Sequence, residues 1–199
     1  MRTPGRRESV AERRARRATI DNPAVVLEAA ARFLEARSRS VAEVRRRLTG
    51  AGYRADLVEG AIERLMELGM LDDEAFARAW VESRDRARPR GERAIRAELR
   101  LKGVERPSID LVLAERRDAA ASDDTGAHAE DGGATPSADR LAAERLLTRH
   151  RRSLERVGDP RQRRQRAYAL LARNGFDPET CREVAARVDH DPDDAEPLD

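Results

Sequence analysis

The stretch Gly69-Met-Leu-Asp-Asp-Glu-Ala-Phe-Ala-Arg-Ala-Trp-Val-Glu-Ser-Arg84 decides how this chain divides. Gly69 stops one helix, because glycine takes the left-handed conformation of a helix C-terminus without steric cost. Asp72 and Asp73 start the next, at the end where the helix dipole favours negative charge. Phe76 and Trp80 stand four residues apart on one helix face and read as core. A basic exit, Arg84 to Arg90, is broken by Pro89 and Gly91. The stretch therefore joins two helical units, with a helix expected over Asp73–Ala87.

Working outward, the same punctuation recurs. Asn22-Pro23 opens a helix in which Leu27, Ala30, Ala31 and Leu34 share a face. Ser40-Val-Ala-Glu43 is a capping box, in which hydroxyl and carboxylate satisfy each other's free amides. Its helix turns Val41, Val44 and Leu48 inward and ends in Gly50-Ala-Gly52. Ala55–Leu68 follows, with Leu57, Val58, Ala61, Ile62 and Leu65 on the buried face. Beyond the central stretch, Glu92–Lys102 stops at Gly103, and Pro107-Ser108 starts a helix that ends near Arg117. Helices resume at Arg140–Arg152, Pro160–Asn174 and Pro178–Val188.

Aligned on Gly52, Gly103 and Gly175, these units repeat. Eight residues before each glycine stand Val44, Ile95 and Ala167, and four before stand Leu48, Leu99 and Leu171. One after stand Tyr53, Val104 and Phe176; six after, Val58, Ile109 and Cys181; nine after, Ala61, Val112 and Val184. The fold class expected is all-α: tandem three-helix repeats, about nine helices, stacked into an elongated rod, straight or curved. The repeats span 23–69, 70–117 and 140–188. Residues 1–22 read as a disordered basic arm, 118–139 as a flexible acidic linker without a large apolar residue, and 189–199 as a disordered acidic tail.

The totals exclude several classes of function. Of 199 residues, 39% are charged and 3% aromatic, and the formal net charge is only +2. The charge is unevenly spread: the first 23 residues hold seven Arg against three acids, whereas linker and tail hold six acids each and no base. A basic body with acidic appendages points to an acidic or polyanionic partner. No apolar run approaches the roughly 20 residues of a membrane span, and the basic start lacks the apolar segment of a secretory signal. The expectation is a cytoplasmic monomer. Cys181 is the one cysteine and cannot form an internal disulfide; its repeat position makes it core. His128, His150 and His190 lack metal-ligand spacing. Asp72-Asp73 is better explained by capping than by acid–base work, and no glycine-rich phosphate loop is present. Neither catalysis nor a cofactor or metal is expected.

The candidate binding residues are basic. Arg84, Arg86, Arg88 and Arg90 fill a helix end and turn; Arg96 and Arg100 lie one helical turn apart with Lys102 beyond. Arg45 and Arg46 lie beside Arg47 on an earlier helix, and Arg163 and Arg166 stand with Arg161 and Arg164 near the start of a later one. Each taken singly reads as solvated charge; their recurrence on successive helices suggests a basic stripe. No aromatic is spare for stacking bases, so contact with nucleic acid would run through Arg and phosphate.

Leu71-Asp-Asp-Glu-Ala-Phe-Ala-Arg-Ala-Trp-Val81, with Arg84, Gly91 and Glu98-Leu-Arg-Leu-Lys-Gly103, resembles the bacterial RecX regulators. Ser40-Val-Ala-Glu-Val-Arg-Arg-Arg-Leu48 with Gly52 is similar to that family's first repeat. The likeness is close over residues 25–115 and looser over 166–188. It implies tandem three-helix repeats. It also implies a protein that binds RecA filaments on DNA, lodges in the filament groove, and restrains ATP hydrolysis, strand exchange and co-protease activity. The role implied lies in recombination, DNA repair and the SOS response. The arm, acidic linker and acidic tail depart from the pattern. Two other readings stand beside it: a non-sequence-specific DNA-binding helical-repeat protein acting without RecA, and a protein scaffold whose arginines only solvate it.

Overall fold

The computed structural model describes residues 8–123 and 137–189. Among these there are ten α-helices, a short 3-10 turn and no strand: α1 Val10–Ala18, α2 Pro23–Glu35, α3 Val41–Ala51, α4 Ala55–Glu67, α5 Asp73–Ala87, α6 Glu92–Lys102, α7 Arg106–Asp123, α8 Ala138–Glu155, α9 Pro160–Arg173 and α10 Pro178–Ala186. They divide into two compact units. The first runs to Phe76 and takes in Leu101–Glu105; the second holds Ala77–Arg100 and the chain from Arg106 onward.

In the first unit α2, α3 and α4 pack around Val26, Ala30, Val44, Leu48, Val58, Ile62, Leu65 and Leu71. The helix starts follow from local chemistry. Asn22 accepts from the Ala24 amide ahead of Pro23. Ser40 and Glu43 close their capping box, with Glu43 N donating to Ser40 Oγ at 3.1 Å. Ser40 is fully buried and its hydroxyl also donates to the Lys102 carbonyl at 2.6 Å. That bond satisfies a polar group that would otherwise be costly to bury and fixes Leu101–Glu105 within this unit. The acidic pair divides its work. Asp72 caps α5, accepting from Glu74 N at 2.8 Å and Ala75 N at 3.0 Å. Asp73 instead accepts from Val41 N at 2.9 Å, and burial raises its carboxyl above the usual value.

In the second unit α8, α9 and α10 enclose Ala142, Leu146, Leu147, Leu171, Phe176, Cys181 and Val184, with Tyr168 packed against them. The Cys181 thiol is pushed up by burial. The turn before α6 meets the turn after α9 with no room for side chains: a Cβ on Gly91 would lie 2.3 Å from the Gly175 carbonyl oxygen. There Gly91 N donates to Asn174 O at 3.1 Å. Arg116 is nearly buried and donates to Asp85 Oδ1 at 2.9 Å and Asp139 Oδ1 at 2.6 Å, tying α7 to α5 and α8.

Every repeat position aligned on the glycines is buried except Tyr53, which is half-buried. The glycines Gly52, Gly103 and Gly175 all have positive φ, at 103°, 83° and 84°.

Four expectations need correction. The arm is not without structure: Val10–Ala18 is helical, opened by a second capping box, Ser9 with Glu12. Only its residues 1–7 lie outside the described residues. The sixth expected helix does not end near Arg117; α7 runs to Asp123, because alanine-rich sequence continues a helix readily. Asp139 belongs to α8, where Arg116 pairs with it, rather than to a linker. The rest of that linker, 124–136, lies outside the described residues, as does the tail from 190. Trp80 is not core, in contrast to the buried Phe76. It is half-buried, with Nε1 donating to Glu98 at 2.8 Å and the Arg84 guanidinium 4.3 Å from its ring centre. An indole keeps its polar edge where a partner can reach it.

Candidate partner-binding surface

The candidate basic residues separate into paired and unpaired groups. On α5 and α6, Glu98 takes Arg84 at 2.6 Å and lies 3.7 Å from Arg90. Arg90 also donates to Asn174 Oδ1 at 2.9 Å. Arg96 is held between Glu92, at 3.0 Å, and Asp110 on α7. The Arg96 hydrogen bond holds the Asp110 carboxyl below its usual range. Arg86 lies 3.3 Å from Glu82 on the exposed side of α5. The stripe that looks basic in sequence is therefore an internal ion-pair lattice over much of its length. Charge already matched by a neighbour offers little to a partner.

In the first unit Arg45 makes a two-pronged pair with Glu59, both contacts at 2.7 Å. Lys102 donates to Glu43 at 2.9 Å. In α9 the Arg163 guanidinium donates through two nitrogens to the Val157 carbonyl at 3.1 Å, closing the α8–α9 turn. Arg46, Arg88, Arg100 and Arg166 remain exposed with no ion-pair partner among the described residues. Arg88 stands in the turn after α5 and Arg100 near the end of α6.

Sequence reasoning missed a further basic cluster. Val10, Arg13, Arg14 and Arg17 of α1 face Arg46, Arg47, Gly50 and Ala51 of α3 across a groove of about 560 Å³. Arg17 donates to the Ala51 carbonyl at 3.4 Å and lies 5.6 Å from the Tyr53 ring centre. Arg47 lies 5.6 Å from the Phe33 ring centre. The signal was present: Ser9-Val-Ala-Glu12 repeats Ser40-Val-Ala-Glu43 letter for letter. The helix it opens has no buried residue, so it lacks the apolar face that marks the others.

Among the described residues no helix is long and apolar enough to cross a membrane, and no three His, Cys, Asp or Glu side chains gather to hold a metal. Helical packing on glycine-ended three-helix units, with exposed arginines, defines an all-helical protein of repeated three-helix domains. Family models for the first and second three-helix domains of RecX match residues 27–65 and 72–113. The chain is 36% identical over 151 residues to the regulatory protein RecX of Mycolicibacterium vanbaalenii, covering 73% of this chain and 72% of that one. It is 36% identical over 154 residues to that of Mycobacterium leprae, covering 77% and 79%. The crystal structure of RecX from Lactobacillus salivarius superposes with a TM-score of 0.67 at 16% identity, over 85% of this chain and 97% of that one, a likeness of fold. The chain belongs to the RecX family of regulatory proteins.

Proposed function

We propose that this protein binds RecA filaments on DNA and restrains their ATP hydrolysis, strand exchange and co-protease activity. The observation that carries the reading is its membership of a family whose relatives are named regulatory proteins. Tandem three-helix domains that present charged faces suit that role, because restraint needs only preferential binding to one filament state. Several weak contacts to successive protomers then reinforce one another through effective concentration. Three repeats, the third formed by α8 to α10, would supply them. Of the candidate arginines, Arg46, Arg88, Arg100 and Arg166 are the ones left for a partner. Arg84, Arg90 and Arg96 act inside the protein. The test is RecA's DNA-dependent ATPase with purified protein added. Slowing at substoichiometric amounts is expected, and no slowing at equimolar protein would reject the reading.

A further inference from the structure

The groove between α1 and α3 lies in the first unit, and α1 precedes the residues matched by either RecX domain. Five arginines line it, and among the described residues no acid does. Glu12 of α1 and Glu8 just before its cap are committed elsewhere. Glu12 accepts from Ser9 N at 2.7 Å in the capping box, and Glu8 pairs with Arg16 at 3.1 Å. Arg13, Arg14 and Arg46 therefore face the groove with no ion-pair partner among the described residues. Arg17 and Arg47 are oriented by the Tyr53 and Phe33 rings. The two helices are held close: a Cβ on Gly52 would lie 2.7 Å from the Arg14 carbonyl oxygen. The positive φ of Gly52, 103°, is a conformation that suits glycine.

We infer that this groove is a binding site for the phosphodiester backbone of duplex nucleic acid, taken without regard to sequence. Arginine forks match phosphate oxygens two at a time. Val10 to Arg17 covers about 10 Å of helix axis, the rise of about three nucleotides of one strand. Among the described residues the apolar lining is only Val10, Gly50 and Ala51, too little to anchor the side chains of an acidic peptide. The nearby rings of Tyr53 and Phe33 are covered by guanidinium groups, so no stacking platform for single-stranded bases is offered.

The test uses the full chain without RecA, so its failure and that of the filament reading are separable. Binding to a fluorescein-labelled duplex of arbitrary sequence is followed by anisotropy across a salt series. Gly50 gives a clean probe, because a Cβ there meets nothing within 4 Å. Gly50→Glu should weaken duplex binding by about tenfold or more at about 0.1 M salt, whereas Gly50→Ala should not. Arg13→Gln with Arg46→Gln should lower the slope of log affinity against log salt by about 2. Arg152→Gln with Arg173→Gln removes the same charge from exposed sites elsewhere and should change affinity little. Thermal melts establish that each variant is folded. The assignment is overturned if the wild type fails to bind duplex at low salt, or if the groove variants match the wild type. A control pair that loses as much as the groove pair also overturns it. Polyglutamate displacing the duplex as well as unlabelled duplex of equal charge would overturn the nucleic-acid identity.

Discussion

Arg116 shows how much one side chain can carry. It is only 5% exposed and is met by Asp85 and Asp139, which are 22% and 15% exposed. Removing the cation leaves two poorly solvated carboxylates without their partner. Arg116→Met is therefore expected to cost about 3 kcal/mol or more of unfolding free energy, read by urea titration. A loss under about 1 kcal/mol would show that water already screens the pairs. Glu43 makes the matching case for pH. Burial pushes its carboxyl up, but bonds from Lys102 and the Ser40 amide, with Arg37 nearby, outweigh that and hold it below its ordinary value of 4.5. A depressed folded value means stability present above 4.5 and lost as pH falls through the lower folded value. Glu43→Gln should flatten that part of the acid limb in a melt series. Asp73, raised by burial, works in the opposite sense, so Asp73→Asn should leave that acid-side loss in place. An unchanged acid limb in Glu43→Gln would exclude the linkage.

Among the elements, α1 and α3 share a start and differ in what they bury. Both open on Ser-Val-Ala-Glu, and both boxes close, with the serine hydroxyl accepting at 3.2 Å and 3.1 Å. Only α3 has apolar residues at the spacing that fills a core. Pattern reading weighs apolar periodicity first, so α3 was legible and α1 was not. α1 is held instead by its contact with Gly52. Gly52→Ala would need a left-handed alanine, at about 1–2 kcal/mol, and would drive a methyl group into Arg14. It should destabilise the first unit by about 2 kcal/mol and speed tryptic cleavage within Arg13–Arg17. Gly50→Ala, in open space on the same helix, should instead be neutral or stabilising by about 0.5–1 kcal/mol. Equal behaviour of the two variants would mean that α1 is not packed there.

For the whole molecule, the relevant charge is what remains after internal pairing. A surface count of arginines overstates the basic character of α5 and α6, because Glu98 pairs with Arg84, and Glu92 and Asp110 pair with Arg96. Reversing Arg96 would break a structural pair. Reversing Arg88 and Arg100, which have no ion-pair partner among the described residues, leaves the lattice intact. If RecA filaments are the partner, Arg88→Glu with Arg100→Glu should raise the concentration needed to slow the RecA ATPase by about tenfold, with an unchanged melt. Full inhibition at wild-type concentrations would remove these two arginines from the interface.

The order of α2 to α10, the glycine stops, the repeat register and the family were determined by the sequence alone. Capping, periodicity and positive-φ glycines are local properties, legible within a few residues. Gly52, Gly103 and Gly175 mark the same place in each unit for that reason. Which arginines are available was decided only by tertiary structure. Arg84 and Arg88 lie one turn apart and look alike in sequence, yet one is neutralised by Glu98 from α6 and the other stands in water. The groove of α1 and α3 and the Arg116 pairs arise in the same way. Each depends on residues tens of positions apart brought within 3–6 Å, and no local pattern encodes that distance.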